Sequence, residues 1–265
     1  MGAPTKRGQQ AGSTQEAYDL TPKDNFFFVR IPGKGYGNNN YNANWGYQNG
    51  VMRNAKQVKS FTPIAVLSHE WKIDEASRLT TSLGYKYQMD GRTSMNWYKA
   101  ADPRPDYYRN LPSYFWNDDK DYDRQNREKA AWAQYAWEEN IPEYAHLNWD
   151  RLYNVNWNNL DANGVARSKY VLEERRVDQN DINVGANVKW NASKAFTLTG
   201  GINYKWNRTE YYKILDDLLG GNYYVNIDQF AERDFASNQA MVQNDLDYYL
   251  AHGAAQVLVQ GDKYG

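Results

Sequence analysis

A chain of 265 residues with a net charge of −1 has room for one large domain or two small ones, and carries no global field that would recruit nucleic acid or an anionic membrane surface. The absence of cysteine removes thiol catalysis, thiolate metal sites and a disulfide framework. With 23 Tyr, 10 Trp and 8 Phe against 41% hydrophobic residues in all, aliphatic core material is scarce and rings with polar handles abound.

The first residues, Met1 to Gly8, contain no apolar signal core, and no run of about 18 apolar residues occurs anywhere. A membrane-spanning helix is therefore excluded. A β-barrel is not, because its strands need only about 9–11 alternating residues.

From residue 1 to 56 the chain reads as loop, rich in Gly, Asn, Gln and Tyr. Its glycines around Gly33, Gly35 and Gly37 lack the strand-turn-helix setting and the GK[ST] ending of a phosphate cradle, so a loop is expected there. Residues 57–92 read as a hairpin. Ala65, Leu67, His69, Trp71 and Ile73 share one face with Leu79, Thr81, Leu83, Tyr85 and Tyr87 of the returning strand, and Pro63 is expected to begin the first strand. His69 is the polar misfit on that face.

Residues 93–167 form a long connection with a helix expected near 123–140, where Asp123 is a plausible cap. Ala131 and Tyr135 would line one side of that helix and Trp132 and Ala136 another. A second hairpin spans 168–210. Ile182, Val184, Ala186, Val188 and Trp190 alternate with Asp181, Asn183, Gly185, Asn187 and Lys189. Phe196, Leu198, Gly200, Ile202, Tyr204 and Trp206 alternate with Thr197, Thr199, Gly201, Asn203 and Lys205. Residues 211–265 read as loop leading toward a further strand, with a short helix over 211–220 that ends at Gly220.

Rings gather at both ends of the alternating strands. Trp71, Trp190 and Phe196 lie beside the short turns at 74–77 and 191–195; Tyr85, Tyr87, Tyr204 and Trp206 lie toward the opposite ends. Two aromatic bands with aliphatic residues between them are what transmembrane barrels place at their interfaces. Lys72, Lys86, Lys189 and Lys205 fall on the opposite face, where a wet lumen would receive them. The fold class is thus all-β, a portion of a transmembrane antiparallel barrel with about two long hairpins and long extracellular loops holding short helices. A soluble sheet on a core gives the same alternation.

Catalytic and metal signatures are weak. Asp118 to Asp123 spaces carboxylates as a calcium loop does, but a loop starting at Asp119 would need Gly and Glu where Arg124 and Ala130 stand, so a solvated acidic turn is expected. His69, His146 and His252 have no metal-ligand spacing, no G-x-S-x-G occurs, and no carboxylate pair is singled out. The chain is read as no enzyme, without cofactor or metal.

The better site candidates are loop aromatics. Trp97, Tyr98, Tyr107, Tyr108, Tyr114 and Trp116 surround Asp102-Pro103-Arg104-Pro105-Asp106, with Arg109 nearby. Two prolines stiffen the segment, and rings beside charges can stack on a sugar or cap a peptide. Trp97, Tyr98, Arg104, Asp106, Tyr107, Tyr108 and Arg109 form the candidate ligand set; the alternative is that the rings only pack the loop.

The phrases GAPTKRGQQ (2–10), NYNANWGYQNGVMRNAK (40–56), LSHEWKID (67–74), NWYKAADPRPDYYRNLPSYF (96–115), HLNWDRLYNVN (146–156) and YKILDDLLGGNYYVNIDQFAE (212–232) resemble the barrel region of TonB-dependent receptors from Bacteroidetes outer membranes. The resemblance covers nearly the whole chain and carries no catalytic motif. It implies active uptake of a nutrient (an oligosaccharide, peptide or metal chelate) across the cell outer membrane, through a 22-stranded barrel with a plug and a TonB box. The implied partners are outer-membrane lipid, the remaining barrel strands and plug, the TonB complex and a small ligand, with no nucleic acid. Signal, plug, TonB box and most strands are not found here, so the chain is expected to be an internal piece that aggregates when expressed alone, because its sheet edges are open. The reading from a different class is a soluble, aromatic-rich carbohydrate-binding or hydrolytic β-protein.

Overall fold

The alternating segments form one sheet. In chain order its strands are β1 (Thr5–Gly8), β2 (Gln57–Phe61), β3 (Ile64–Lys72), β4 (Ser77–Trp97), β5 (Tyr170–Ser193), β6 (Phe196–Asp217) and β7 (Lys263–Tyr264). They follow the order β1-β2-β4-β5-β6-β7, with β3 also on β4, in a curled antiparallel half-barrel. The computed structural model describes residues 3–21, 29–31, 35–37, 41–116 and 124–265. Two compact units divide it. One comprises Met1–Arg7, Val58–Arg92 and Arg175–Lys213; the other comprises Gly8–Gln57, Thr93–Glu174 and Ile214–Gly265.

In the first unit, β2 and β3 pair with β4 in one register. Phe61 pairs with Met89 and Ile64 with Lys86, so both sides advance by the same step, and the ladder continues to Lys72 opposite Arg78. Pro63 stands directly before Ile64, the first residue of β3, as expected from sequence. Its carbonyl accepts from the Tyr87 amide at 3.1 Å, but proline has no N–H to return. The turn is held by Asp74, whose Oδ1 accepts from the amides of Ala76 (2.8 Å) and Ser77 (2.6 Å). The strands are long: 21 residues in β4, 24 in β5 and 22 in β6, about twice what a bilayer crossing requires.

The second unit holds the helices: α1 (Gln15–Leu20), α2 (Pro112–Phe115), α3 (Arg124–Glu138), α4 (Pro142–Ala145), α5 (Trp149–Trp157), α6 (Gln229–Asp234) and α7 (Leu246–His252). Three buried clusters organise it. Ala17, Tyr41, Ala43, Leu111, Trp137 and Ala145 form one. A second joins Leu147, Trp149 and Leu152 to Tyr170, Leu172 and Leu219. A third joins Tyr98 and Val171 to Leu215, Leu218, Tyr224, Leu258 and Tyr264.

Three expectations from sequence are corrected here. Residues 1–56 are not simply loop: Trp45–Gln48 pairs antiparallel with Val51–Asn54. Asn49 and Gly50 close that hairpin with φ of 51° and 75°, the two left-handed residues that an Asn-Gly turn supplies. Of the glycine-rich stretch, residues 32–34 and 38–40 lie outside the described residues, as do Asp118 to Asp123.

Helix α3 exists where expected, but its inner face is different. Ala130, Ala133, Ala136 and Trp137 are buried, while Trp132 and Tyr135 are 54% and 52% exposed. Alanines at this spacing let the helix backbone approach its neighbours and leave room for one large ring. The helix expected over 211–220 is instead the end of β6, which continues to Asp217 before turning at Leu219 and Gly220 with φ of 48° and 87°. Sheet pairing overrides the local signal, since the Leu215 amide donates to Asp262 O (3.0 Å) and the Gly261 amide donates to Leu215 O (2.8 Å).

Asn156 ties α5 to two strand ends. Fully buried, its Nδ2 donates to the carbonyls of Tyr170 (2.8 Å), Leu218 (2.9 Å) and Leu219 (3.0 Å). Its Oδ1 accepts from the amides of Lys169 (2.8 Å) and Tyr170 (3.0 Å). One side chain thus satisfies backbone groups that turn away from the ladder.

Candidate functional site

Two surfaces carry the functional candidates, one in each unit. In the first unit, the apolar face of the sheet stays exposed among the described residues. Leu83 is 47% exposed, Val184 45%, Val188 42% and Ile202 74%. The aromatic residues expected at interfaces share this exposure: Trp71, Tyr85, Trp190, Phe196, Tyr204 and Trp206 are all exposed, and Tyr87 is half-buried. The Asn191 amide donates to Ala76 O at 2.8 Å, which brings the two short turns together and sets Trp71, Trp190 and Phe196 at one end of the face. Ile73, Ala186, Val188, Trp190, Leu198 and Ile202 line a shallow apolar depression of about 640 Å³ beside those turns.

At the other end, the same face turns polar in an ordered way. Tyr85 Oη donates to Asn180 (2.7 Å), and Asp178 accepts from Tyr87 (3.0 Å) and Tyr212 (2.7 Å) while pairing with Arg176 (3.0 Å). Tyrosines with ring stems in an apolar band and hydroxyls on Asp or Asn are suited to a boundary between oil and water. The opposite face is polar along its length. Asp181, 4% exposed, pairs with Lys86 (3.1 Å) and accepts from Asn207 (2.6 Å). Gly201 leaves room there, since a Cβ would lie 2.1 Å from Asn187 Oδ1. Ile64 and Val66 are the exceptions, apolar and exposed on this face, on the outermost strand β3.

In the second unit, the structure splits the candidate ligand set. Tyr98 is 7% exposed and sits in the third cluster. Its hydroxyl donates to Glu232 at 2.7 Å; Lys99 pairs with the same carboxylate at 3.0 Å, and the Arg167 guanidinium lies 5.0 Å from the ring. The Tyr98 and Lys99 bonds hold the Glu232 carboxyl below its ordinary range. Trp97 is half-buried against the second cluster. Neither ring is presented for stacking; both pin the loop to its own core.

Arg104 and Asp106 are positioning groups in the same segment. Arg104 is bound to Asp102 (2.5 Å), which raises the guanidinium's affinity for its proton. Asp106 accepts from Ser13 Oγ at 2.6 Å; burial pushes its carboxyl up and the Ser13 bond opposes that. Pro105, Leu111 and Pro112 are buried, and Glu16 accepts from the Ser113 amide at 2.8 Å and from its Oγ.

On this anchored base stand Tyr107, Tyr108, Arg109 and Tyr114. The Tyr107 and Tyr108 rings lie edge to face at 4.7 Å, and Tyr108 and Tyr114 likewise at 5.6 Å. Arg109 Nε donates to Tyr108 Oη at 2.9 Å, and its guanidinium lies 5.5 Å from the Tyr108 ring. Tyr108 is 50% exposed, and Trp116 53%. The arrangement offers ring faces, phenolic hydroxyls and a cation on a stiff loop.

Two features escaped sequence reasoning. Trp132 and Tyr135 form an exposed pair with ring centroids 5.7 Å apart; the alanine spacing at 130, 133 and 136 was the signal that they face outward. Arg53 stacks 4.2 Å over Trp149 and pairs with Asp217 at 2.5 Å, a contact between residues 164 positions apart that local pattern cannot show. No group of three or more His, Cys, Asp or Glu side chains that could hold a metal ion occurs among the described residues. In comparisons with known proteins, no family model and no curated protein matches this sequence.

Proposed function

We propose that this chain is part of a TonB-dependent outer-membrane receptor, a β-barrel transporter that takes up a nutrient ligand actively. The observation that carries the reading is the exposed apolar face of β3 to β6, banded by Trp71, Trp190 and Phe196 at one end and Tyr85, Tyr87, Tyr204 and Trp206 at the other. In water such a face is expensive, at roughly 25 cal/mol for each Å² of apolar surface left wet; in lipid that penalty vanishes. The polar opposite face, with its Lys86–Asp181 pair, suits a hydrated lumen.

In this reading the sheet is a sector of a barrel. The described sheet ends at strands with unpaired edges, and a small membrane barrel needs about eight strands to close. Remaining strands, plug and TonB contact would come from the full receptor. Tyr107, Tyr108 and Arg109 would stand at the ligand. Loop aromatics at a pore mouth act by binding and guiding, so no catalytic role is assigned.

Folding into lipid tests this. Denatured chain is diluted into short-chain phosphatidylcholine vesicles carrying brominated acyl chains, and tryptophan fluorescence is followed. Quenching of Trp71 and Trp190, lost in their Phe variants, is the expected result. Exclusion from the vesicles with a sharp, cooperative melt of a soluble monomer would overturn the reading and favour a soluble β-protein.

A further inference from the structure

We propose that Arg109 and the tyrosines around it bind a carboxylate-bearing sugar, a uronic-acid unit of an oligosaccharide. The inference deepens the receptor reading and rests on it for the loop's access to external ligands.

The argument starts from charge accounting within the loop. Among the described residues, the carboxylates of this segment are engaged: Asp102 by Arg104, Asp106 by Ser13 and Glu16 by Ser113. Arg104 is consumed in turn by Asp102. Arg109 is exposed, and its contacts are to phenols; among the described residues no carboxylate pairs with it. An exposed guanidinium oriented by one hydroxyl is suited to take a planar anion in two parallel hydrogen bonds. A carboxylate is such an anion.

The rings define what the carboxylate is attached to. Tyr107 packs edge to face on Tyr108, and Tyr108 on Tyr114, in a cluster whose central ring is 50% exposed. The C–H face of a pyranose stacks on such a surface while its hydroxyls meet phenolic oxygens, whereas a bare inorganic anion would use none of the rings.

The loop is also stiff before any ligand arrives. Asn110 Nδ2 donates to Arg104 O at 3.0 Å, the Asn110 amide donates to Tyr107 O at 2.7 Å, and Leu111 is buried. Little ordering entropy is left to lose on binding.

The test compares two probes on the full chain reconstituted in detergent or lipid: a galacturonic acid trisaccharide and its carboxyl-reduced, neutral counterpart, measured by titration calorimetry. The acidic trisaccharide should bind about tenfold tighter or more, as a charge-assisted hydrogen bond allows, and the preference should shrink at high salt. Arg109→Gln should abolish the preference, and Arg109→Lys should restore part of it, since a lysine keeps the charge but not the fork. Because Arg109 is exposed, both variants should leave the melting profile unchanged. Equal binding of the two probes would overturn the inference, as would a preference that survives Arg109→Gln. Binding of neither would also overturn it, while lipid insertion, measured separately, would still decide the receptor reading.

Discussion

The two units handle apolar side chains in opposite ways. In the loop-rich unit Trp137, Trp149, Leu111, Leu215, Leu219 and Leu258 are fully buried, in clusters assembled from segments far apart in sequence. In the sheet unit large apolar residues of the strands stay exposed, Leu67, Leu83, Leu198 and Ile202 among them. The ordered loops thus have the cores of a water-soluble domain, and the regular sheet has none. A chain that buries apolar groups in one unit and leaves them exposed in the other supports the proposal that lipid covers the sheet.

The comparison can be broken first at Asn156. Replacing it by Leu removes the side-chain partner of the Lys169 and Tyr170 amides and of the Tyr170 and Leu219 carbonyls, while Leu218 O keeps Ser168 Oγ and the Gly221 amide, and should destabilise the loop unit by about 4 kcal/mol. Hydrogen exchange at Lys169 and Tyr170 would report it. Unchanged protection there would show that the loop unit is held by its apolar clusters alone.

Next in size is a charge on the sheet. Val188→Arg should cost about 3 kcal/mol in the lipid-inserted state, as expected for a cation facing hydrocarbon, whereas Asn187→Arg on the polar face should cost little. Urea titration of vesicle-folded protein separates the two. Equal effects at 187 and 188 would mean that the faces are not distinguished by their surroundings.

The smallest effect is a pH dependence confined to the loop unit. His146 is 3% exposed, lies 4.2 Å from the Trp45 ring, and has no hydrogen-bond partner for Nδ1 among the described residues. Burial pushes its pKa down from 6.5 to about 4. The unfolded chain takes up a proton as pH falls through about 6.5, and the folded one resists until about 4. Stability should therefore fall across that window by about 2–3 kcal/mol and level off below it. A His146→Phe variant should lose this dependence; a profile identical to wild type would place the titration elsewhere.

Legibility from sequence followed the range of the forces involved. The alternation at 64–87 and 180–206 was readable because strand geometry repeats every two residues, whatever lies nearby. Asn49-Gly50 carries the local signal of a hairpin turn, within a long polar stretch that otherwise reads as loop. The buried face of α3 was misjudged because large rings drew attention from the alanines, although small residues mark close approach. Of the candidate ligand set, Tyr108 and Arg109 are exposed and Tyr107 packs against Tyr108, whereas Tyr98 and Trp97 pack into the clusters beneath. Adjacent residues in one aromatic phrase had no local feature to tell them apart.

By itself, the sequence determined the two hairpins, the separation of their apolar and polar faces, and the placing of rings at both strand ends. These depend on backbone periodicity alone. Only the tertiary structure decided that the apolar face stays exposed among the described residues, that β2 and β3 keep one register on β4, that β6 runs through a stretch that reads as helix, and that no carboxylate among the described residues pairs with Arg109. Each of those depends on which distant segments pack together, as Asp217 with Arg53 and Tyr170 with Asn156 do, and that is settled by the whole fold.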